Sequence, residues 1–477
     1  MAQNPIRQIL AFAETTPLTP AVVGTRLNLN YKTFAATVLR FASKLRAEGV
    51  RPGHVVGLKL RAELQAVAVA AVMHEGATSF GATRPIIDSF DQDIDFVITE
   101  DAGWLASPKK AIVVNADWLA SLGAINHHIE PIDFDSAQSL ALLVFSSGTT
   151  GIPKGVEFSI EDIHRRTDAV SKNWMQSRPF FAELGLDTVS GILAYFWSLL
   201  HGETYFLSGT SKENLQLIRD NAILSIQTSP SKLVDLVAAA GAVNARLDGL
   251  KEIQVAGSLL STKTAHALAA ISTADLQYLY GSTEAGAVAK GAYQATDPEC
   301  VGLLLPEAEV KITDDLGNTL ANGNNGYLNL RTPYQANGYW KTPANKNSGF
   351  HEGWFLPGDT GVLSKTGELR VTGRIDELIN AAGIKINPAV IDATLMGYRG
   401  IQDLAAFGYL EPGEVHKQLG IAIVTNESIS IEQFNLRLKQ AVPETNHIVI
   451  FHVAEIPRNA LGKPLRRQLA QAYESEL

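Results

Sequence analysis

Between Tyr31 and Gly49 the apolar positions Phe34, Val38, Leu39, Phe41, Ala42 and Leu45 recur at helical spacing. That spacing predicts an amphipathic helix ended by Gly49 and followed by Pro52. The next segment, HVVGLKL, is short and apolar and predicts a strand, and ELQAVAVAAVMHEGA returns to a helix that stops at Gly76. AIVVNA and ALLVFSS are candidates for buried strands. Strands alternating with helices in this way predict an α/β fold, a large N-terminal domain whose mainly parallel sheets are covered by helices.

The pattern changes after about Cys300. EVKITDDLGNTLANGNNGYLNLRT breaks into short strands separated by Asn and Gly turns, and GVLSKTGELRVTG predicts a hairpin turning at Lys365-Thr366-Gly367. Further on, GIAIVTN predicts a strand and SIEQFNLRLKQAV a helix. A boundary is expected near Gly373–Glu377. It divides a large domain, residues 1–374, from a small α+β domain, residues 375–477.

Composition narrows the class. The chain has 477 residues, too many for one ordinary core. Its 46% apolar and 19% charged residues are those of a globular protein rather than a disordered one. A net charge of −9 argues against nucleic acid or an anionic membrane as the main partner, so any phosphate site must be local. With Cys300 the only cysteine, no intrachain disulfide or cysteine metal cluster forms, and Cys300 is expected to be a small semi-buried hydrophobe. The N-terminus has no signal-like apolar stretch, and the longest strongly apolar run, Ala66–Met73, is far too short to span a bilayer. A cytoplasmic protein without a membrane span is expected.

The candidate chemistry begins at SSGTTGIPKG, Ser146 to Gly155, directly after the apolar run Leu140–Phe145. Glycines 148, 151 and 155 permit positive φ and close approach by a ligand, and successive N–H groups in such a loop form an anion nest. Ser146, Ser147, Thr149 and Thr150 add hydroxyls and Lys154 adds a charge, a set suited to a polyphosphate as well as to a plain surface turn. Lys154 follows Pro153 and precedes Gly155, so this is not the G-x-x-x-x-G-K-[ST] loop of P-loop NTPases.

Further segments carry the same theme. YGSTEAG offers Tyr280 as a face for a base and Glu284 as a carboxylate for magnesium, though alone it also reads as an ordinary loop. GWFLPGDTG sets Asp359 among turn residues, where it can bind sugar hydroxyls or be a solvated turn. GRIDELINAAGIKINP begins at Gly373, and PRNALGKPLRR carries Lys463 in a Gly-Lys-Pro turn.

In this order and at these separations, SSGTTGIPKG, YGSTE, the Gly-Asp pair at 358–359, GRIDE and the Gly-Lys pair at 462–463 resemble the adenylate-forming superfamily of AMP-binding enzymes: acyl-CoA synthetases, peptide-synthetase adenylation domains and luciferases. The resemblance runs from about Tyr31 to Arg467. It implies an ATP-dependent acid–thiol ligase. A carboxylate attacks the α-phosphate of ATP to give an acyl-adenylate and pyrophosphate, and a thiol, of coenzyme A or of a carrier protein's phosphopantetheine, then displaces AMP. By resemblance the Ser146–Lys154 loop, including Gly148 and Gly151, grips the β- and γ-phosphates. Thr283 and Glu284 lie by the α-phosphate and Mg2+. Tyr280 with Gly281 packs on adenine, opposite Gly257 and Ser258. Asp359, helped by Arg374, takes the ribose hydroxyls, and Lys463 is the adenylation lysine. Asp376 stands at the hinge of a mobile C-terminal domain, with Gly383 and Lys385 on its thiol-side face.

There are departures. Ile160 stands where the family often has His, the usual gate residue is missing near Asp187–Val189, Asn380 replaces a frequent lysine and Pro357 a frequent threonine. Small residues Gly286, Ala287 and Ala289 leave room for an aromatic or medium acyl acid. Asp187 suits either a substrate ammonium or, preferably, a helix cap or turn. The length leaves no room for a fused carrier domain, so coenzyme A or a separate carrier protein is the expected acceptor. The alternatives are an amino-acid-activating enzyme, a luciferase-type monooxygenase and a non-catalytic ATP-binding scaffold.

Overall fold

The computed structural model describes residues 2–106, 110–124, 130–146, 153–173, 177–342, 349–381, 384–396, 398–411, 417–425, 429–441, 448–458 and 462–474. The chain divides into two compact units. One comprises Met1–Gln227, Thr283–Gly286 and Pro333–Ser348; the other comprises Thr228–Ser282, Ala287–Thr332 and Gly349–Leu477.

The first unit is built on a six-stranded sheet. Its order is Ala111–Val113, Phe96–Thr99, Val55–Lys59, Thr78–Gly81, Leu140–Ser146, Lys154–Ser159. All neighbours are parallel except the last pair, which is an antiparallel hairpin. Residues 55–58 are buried in succession, the mark of a strand covered on both faces. The helix expected from Tyr31 spans Tyr31–Ala47, with the Asn30 side chain accepting from the Thr33 N–H as its N-cap. The apolar run after it lies in helix Ala62–His74, buried without a break from Gln65 to His74. A helix apolar all round belongs inside a core. No described helix is long and apolar enough to cross a membrane.

In the second unit the strand order is Phe350–His351, Trp354–Phe355, Asn325–Arg331, Asp359–Leu363, Glu368–Arg374, Cys300–Leu304, Gly286–Ala292, Asp275–Ser282, Glu252–Ala256. Glu309–Thr313 pairs on the side with Asn325–Arg331. In this sheet Glu252–Ala256 and Asp275–Ser282 pair in parallel, whereas the ladders around Cys300–Leu304 and beyond are antiparallel. The change of texture at Cys300 is thus a change from crossover helices to hairpins. The hairpin turning at Lys365–Gly367 joins Asp359–Leu363 to Glu368–Arg374, and its register sets Asp359 directly opposite Arg374.

The C-terminal part of this unit has its own sheet, Ile401–Tyr409, Gln418–Thr425 and Ile448–His452. Two buried clusters flank it, one around Ile391, Leu404, Ile421 and Phe434, the other around Ala405, Phe407, Tyr409 and Leu469. Both draw only on residues from 379 onward. Position 374 itself lies inside the second unit, with residues on either side of it.

Of the cap or turn role expected of Asp187, the structure shows the turn: Asp187 lies in the turn before helix Val189–Leu200, while Thr188 caps that helix, its hydroxyl accepting from the Gly191 N–H. The Asp187 carboxylate accepts from the Gln65 amide at 3.0 Å. Gly155, one of the three glycines expected to permit positive φ and close approach by a ligand, lies within strand Lys154–Ser159. A Cβ there would meet the Phe145 ring at 3.0 Å and Trp340 at 3.4 Å, so core packing already requires its small size.

Candidate functional site

In the first unit the phosphate-loop motif spans the hairpin between Leu140–Ser146 and Lys154–Ser159, with Ser146 opposite Lys154. Ser147, Gly148, Thr149, Thr150 and Gly151 lie outside the described residues. Next to Lys154–Ser159 runs the segment containing Tyr339, bridged antiparallel to Val156. The Lys154 ammonium stands 4.9 Å above the Tyr339 ring. The hydroxyl of that tyrosine donates to Glu284 Oε1 at 2.9 Å. Glu284 is buried, and its backbone and that of Thr283 are held by a buried arginine, Arg166.

Among the described residues no three His, Cys, Asp or Glu side chains gather round one point. A single carboxylate fits Mg2+, which keeps its waters and arrives on substrate phosphates, better than a cage-bound ion.

In the second unit four groups expected from the sequence come together. Tyr280 donates its hydroxyl to Asp359 Oδ2 at 2.6 Å. Arg374 reaches Asp359 Oδ1 at 3.2 Å, Asp376 Oδ1 at 3.2 Å and the Pro357 carbonyl at 3.2 Å. Burial lowers the Arg374 pKa, but Asp359, Asp376 and Glu377 more than offset this and keep it charged. Burial, reinforced by the Asp359 charge, pushes the Tyr280 phenol well above its usual range, so it stays a donor. Lys463 joins the same field. Burial and then Arg374 pull its pKa below the usual lysine value, with Arg466 acting the same way, while Asp359 and Glu377 resist. Glu377 also accepts from Arg466 at 3.4 Å, and Arg466 reaches Asp392 at 2.6 Å.

Gly257 and Ser258 follow strand Glu252–Ala256 and are exposed, as is Gly281. Lys385 lies in strand Ile384–Ile386, and Gly383 lies outside the described residues.

The Lys463 turn depends on one glycine. Gly462 has φ +77°, and a Cβ there would stand 2.0 Å from the Ser231 hydroxyl oxygen. Gly462→Ala is therefore expected to displace the turn, at a cost of about 1–3 kcal/mol in strain. Measured as acid-dependent pyrophosphate release, activity should fall by tenfold or more, with ATP affinity nearly unchanged. Full activity in this variant would show that the turn has room to spare.

Sequence reasoning missed Arg166, Tyr339, Glu377 and Arg466. Glu377 in GRIDE and Arg466 in PRNALGKPLRR lay within motifs of the sequence, whereas Arg166 and Tyr339 lay outside them.

The fold is that of the adenylate-forming enzymes. An anthranilate CoA ligase solved with anthranoyl-AMP superposes with a TM-score of 0.87 at 20% identity, covering 100% of this chain and 98% of that one. The o-succinylbenzoate CoA synthetase of Bacillus subtilis, solved with its acyl-adenylate, gives 0.84 at 22% identity over 98% and 97%. Residues 10–340 match the AMP-binding enzyme family, and the chain belongs to it. It is an enzyme of the AMP-forming ligase class. Among curated relatives, a 4-coumarate–CoA ligase-like protein of Oryza sativa subsp. japonica is 25% identical over 97% of this chain and 91% of its own length. A medium/long-chain fatty-acid acyl-carrier-protein ligase of Mycobacterium tuberculosis is 25% identical over 94% and 91%.

Proposed function

We propose that this protein joins a carboxylic acid to a thiol through an acyl-adenylate. In the first step a carboxylate oxygen bonds to the α-phosphorus of ATP, the bridging oxygen to the β-phosphate leaves, and pyrophosphate departs. In the second a thiolate sulfur attacks the acyl carbon and AMP leaves. The observation that carries this is the convergence of Tyr280, Asp359, Arg374 and Lys463 in one charged cluster.

Each group has a matching task. Asp359 accepts from the ribose hydroxyls, with Arg374 holding it, and the Tyr280 ring offers a face to adenine beside Gly257, Ser258 and Gly281. Lys463 brings positive charge to the carboxylate and the α-phosphate, where negative charge builds at the transition state. The Ser146–Lys154 loop takes the phosphates that leave. Thr283 stands by the α-phosphate and Glu284 is the magnesium carboxylate. When bound, the ion neutralises phosphate charge and makes pyrophosphate a better leaving group. Asp376 is the hinge at which residues 375–477 reorient, bringing Gly383 and Lys385 toward the thiol.

The acid is an aryl or medium acyl carboxylate, which agrees with the coumarate and medium/long-chain fatty-acid names of the relatives. The small size of Gly286 has another use. A Cβ on Gly286 would meet the Tyr334 ring at 2.7 Å, so that glycine makes room for the protein's own tyrosine. An amino-acid substrate is the alternative, with Asp187, which accepts from Gln65, as the candidate partner for its ammonium. The acceptor is coenzyme A or the phosphopantetheine of a separate acyl carrier protein.

The test is pyrophosphate release with ATP, Mg2+ and a panel of aryl, fatty and amino acids, with hydroxylamine trapping the adenylate. Release with an aryl or medium acyl acid, and a hydroxamate of the same acid, is the expected result. Bound ATP with no release across the panel would overturn the assignment in favour of a scaffold.

A further inference from the structure

Among the described residues of the first unit, Arg166 is the largest buried charged side chain, and the proposed chemistry leaves it without a task. It sits on helix Ile160–Asn173 and is only 2% exposed. Burial lowers its pKa to about 10, against the opposing charges of Asp162 and Glu284. Taking a guanidinium out of water costs several kcal/mol, and an apolar side chain of similar length would fill the space at no such cost.

Its donors go to main-chain carbonyls. Nη1 donates to the Thr283 carbonyl at 2.8 Å and Nη2 to the Glu284 carbonyl at 3.0 Å, while Cζ lies 4.1 Å from the centre of the Phe158 ring. Two consecutive main-chain carbonyls are thus gripped by one rigid fork, which a lysine cannot reproduce.

The same short segment is held from other directions. The Ala336 N–H also donates to the Glu284 carbonyl, at 2.8 Å. Gly286 has φ +74°, with the Tyr334 ring packed where a side chain would begin. Tyr339 then fixes the carboxylate itself, and its ring lies under the Lys154 ammonium. One tyrosine therefore touches both the phosphate-loop lysine and the carboxylate assigned to magnesium.

We propose that Arg166 and Tyr339 are positioning residues for Glu284: the guanidinium locks its backbone, the phenol orients its carboxylate, and together they present one oxygen to a phosphate-borne divalent cation. The proposal rests on the assignment of Glu284 to magnesium given above. Groups that orient a metal ligand without touching the metal commonly change metal affinity by about 10- to 100-fold when removed.

The experiment is Mn2+ binding to the ATP-saturated protein, followed by electron paramagnetic resonance without any acid, beside ATP binding measured in EDTA. Arg166→Met is expected to weaken Mn2+ binding by about tenfold or more, with ATP binding in EDTA changed less than about threefold, and Arg166→Lys to recover only part of the loss. Tyr339→Phe keeps the ring under Lys154 and removes only the hydroxyl, so it tests the idea even if Arg166→Met does not fold. It too is expected to weaken Mn2+ binding. Unchanged Mn2+ affinity in a folded variant, or an equal loss of ATP binding in EDTA, would overturn the proposal. Because no acid is present, the result stands apart from the pyrophosphate assay: silence there with Mn2+ binding still sensitive to Arg166 would sink the proposed reaction and leave the positioning role intact.

Discussion

Lys463→Ala is expected to reduce acid-dependent pyrophosphate release by about 10²–10³-fold, the usual loss when one preorganised donor to a developing charge is removed. Transfer from a supplied acyl-adenylate to the thiol should stay largely intact, since the phosphorus is no longer the reacting centre. Equal loss of both half-reactions would contradict the assignment of Lys463 to the first step alone. The surroundings add a pH signature. Burial and the guanidinium of Arg374, joined by Arg466, favour loss of the Lys463 proton, and Asp359 and Glu377 oppose it. The net shift is downward, so adenylation should fail on the alkaline side at a lower pH than an ordinary lysine would dictate. Asp359→Asn removes a charge that raises this pKa and should move the limb lower still. A limb at the ordinary lysine position would refute that account of the cluster.

The second large effect is expected at Asp359. Asp359→Ala takes the acceptor from the Tyr280 hydroxyl and leaves Arg374 with Asp376 at 3.2 Å and Glu377 at 3.9 Å. Truncating one member of a buried, hydrogen-bonded charge pair at a binding site costs about 2–5 kcal/mol. That corresponds to roughly 30-fold or more in ATP affinity, measured by calorimetry. A comparison with 2′,3′-dideoxy-ATP isolates the sugar. The native protein should bind the dideoxy nucleotide more weakly than ATP, whereas the variant should bind the two alike. Retained discrimination in the variant would remove Asp359 from the ribose role.

The parts of this architecture that the sequence announces are those set by local periodicity. The Tyr31–Ala47 helix, the strand Leu140–Ser146 and the hairpin at Lys365–Gly367 each declare themselves within about ten residues through spacing and turn chemistry. Asp359 and Arg374 stood apart in the sequence as members of two motifs, and the hairpin register brings them face to face. Arg166 and Tyr339 gave no such signal. Arg166 reads as one more basic residue on a polar helix, and its partners lie 117 and 118 positions away. Tyr339 gains its meaning from Glu284, 55 positions earlier. Asp187, expected at a helix cap or in a turn, lies in the turn. Asp and Thr are both good N-caps and stand side by side, so composition could not choose between them; the hydroxyl of Thr188 takes the role.

Cys300, set in strand Cys300–Leu304 and 4% exposed, is the only sulfhydryl of the 477-residue chain. An acyl-adenylate is a strong acylating agent, and a protein that makes one is exposed to its own product. Here the protein's single thiol is packed away from solvent, out of reach of a bulky acylating agent. The activated acyl group thus finds no exposed cysteine thiol on the enzyme itself, and any thiol consumed in solution is the acceptor's. A thiol-reactive dye added to the native protein should accordingly report the acceptor alone, with almost no background from the protein.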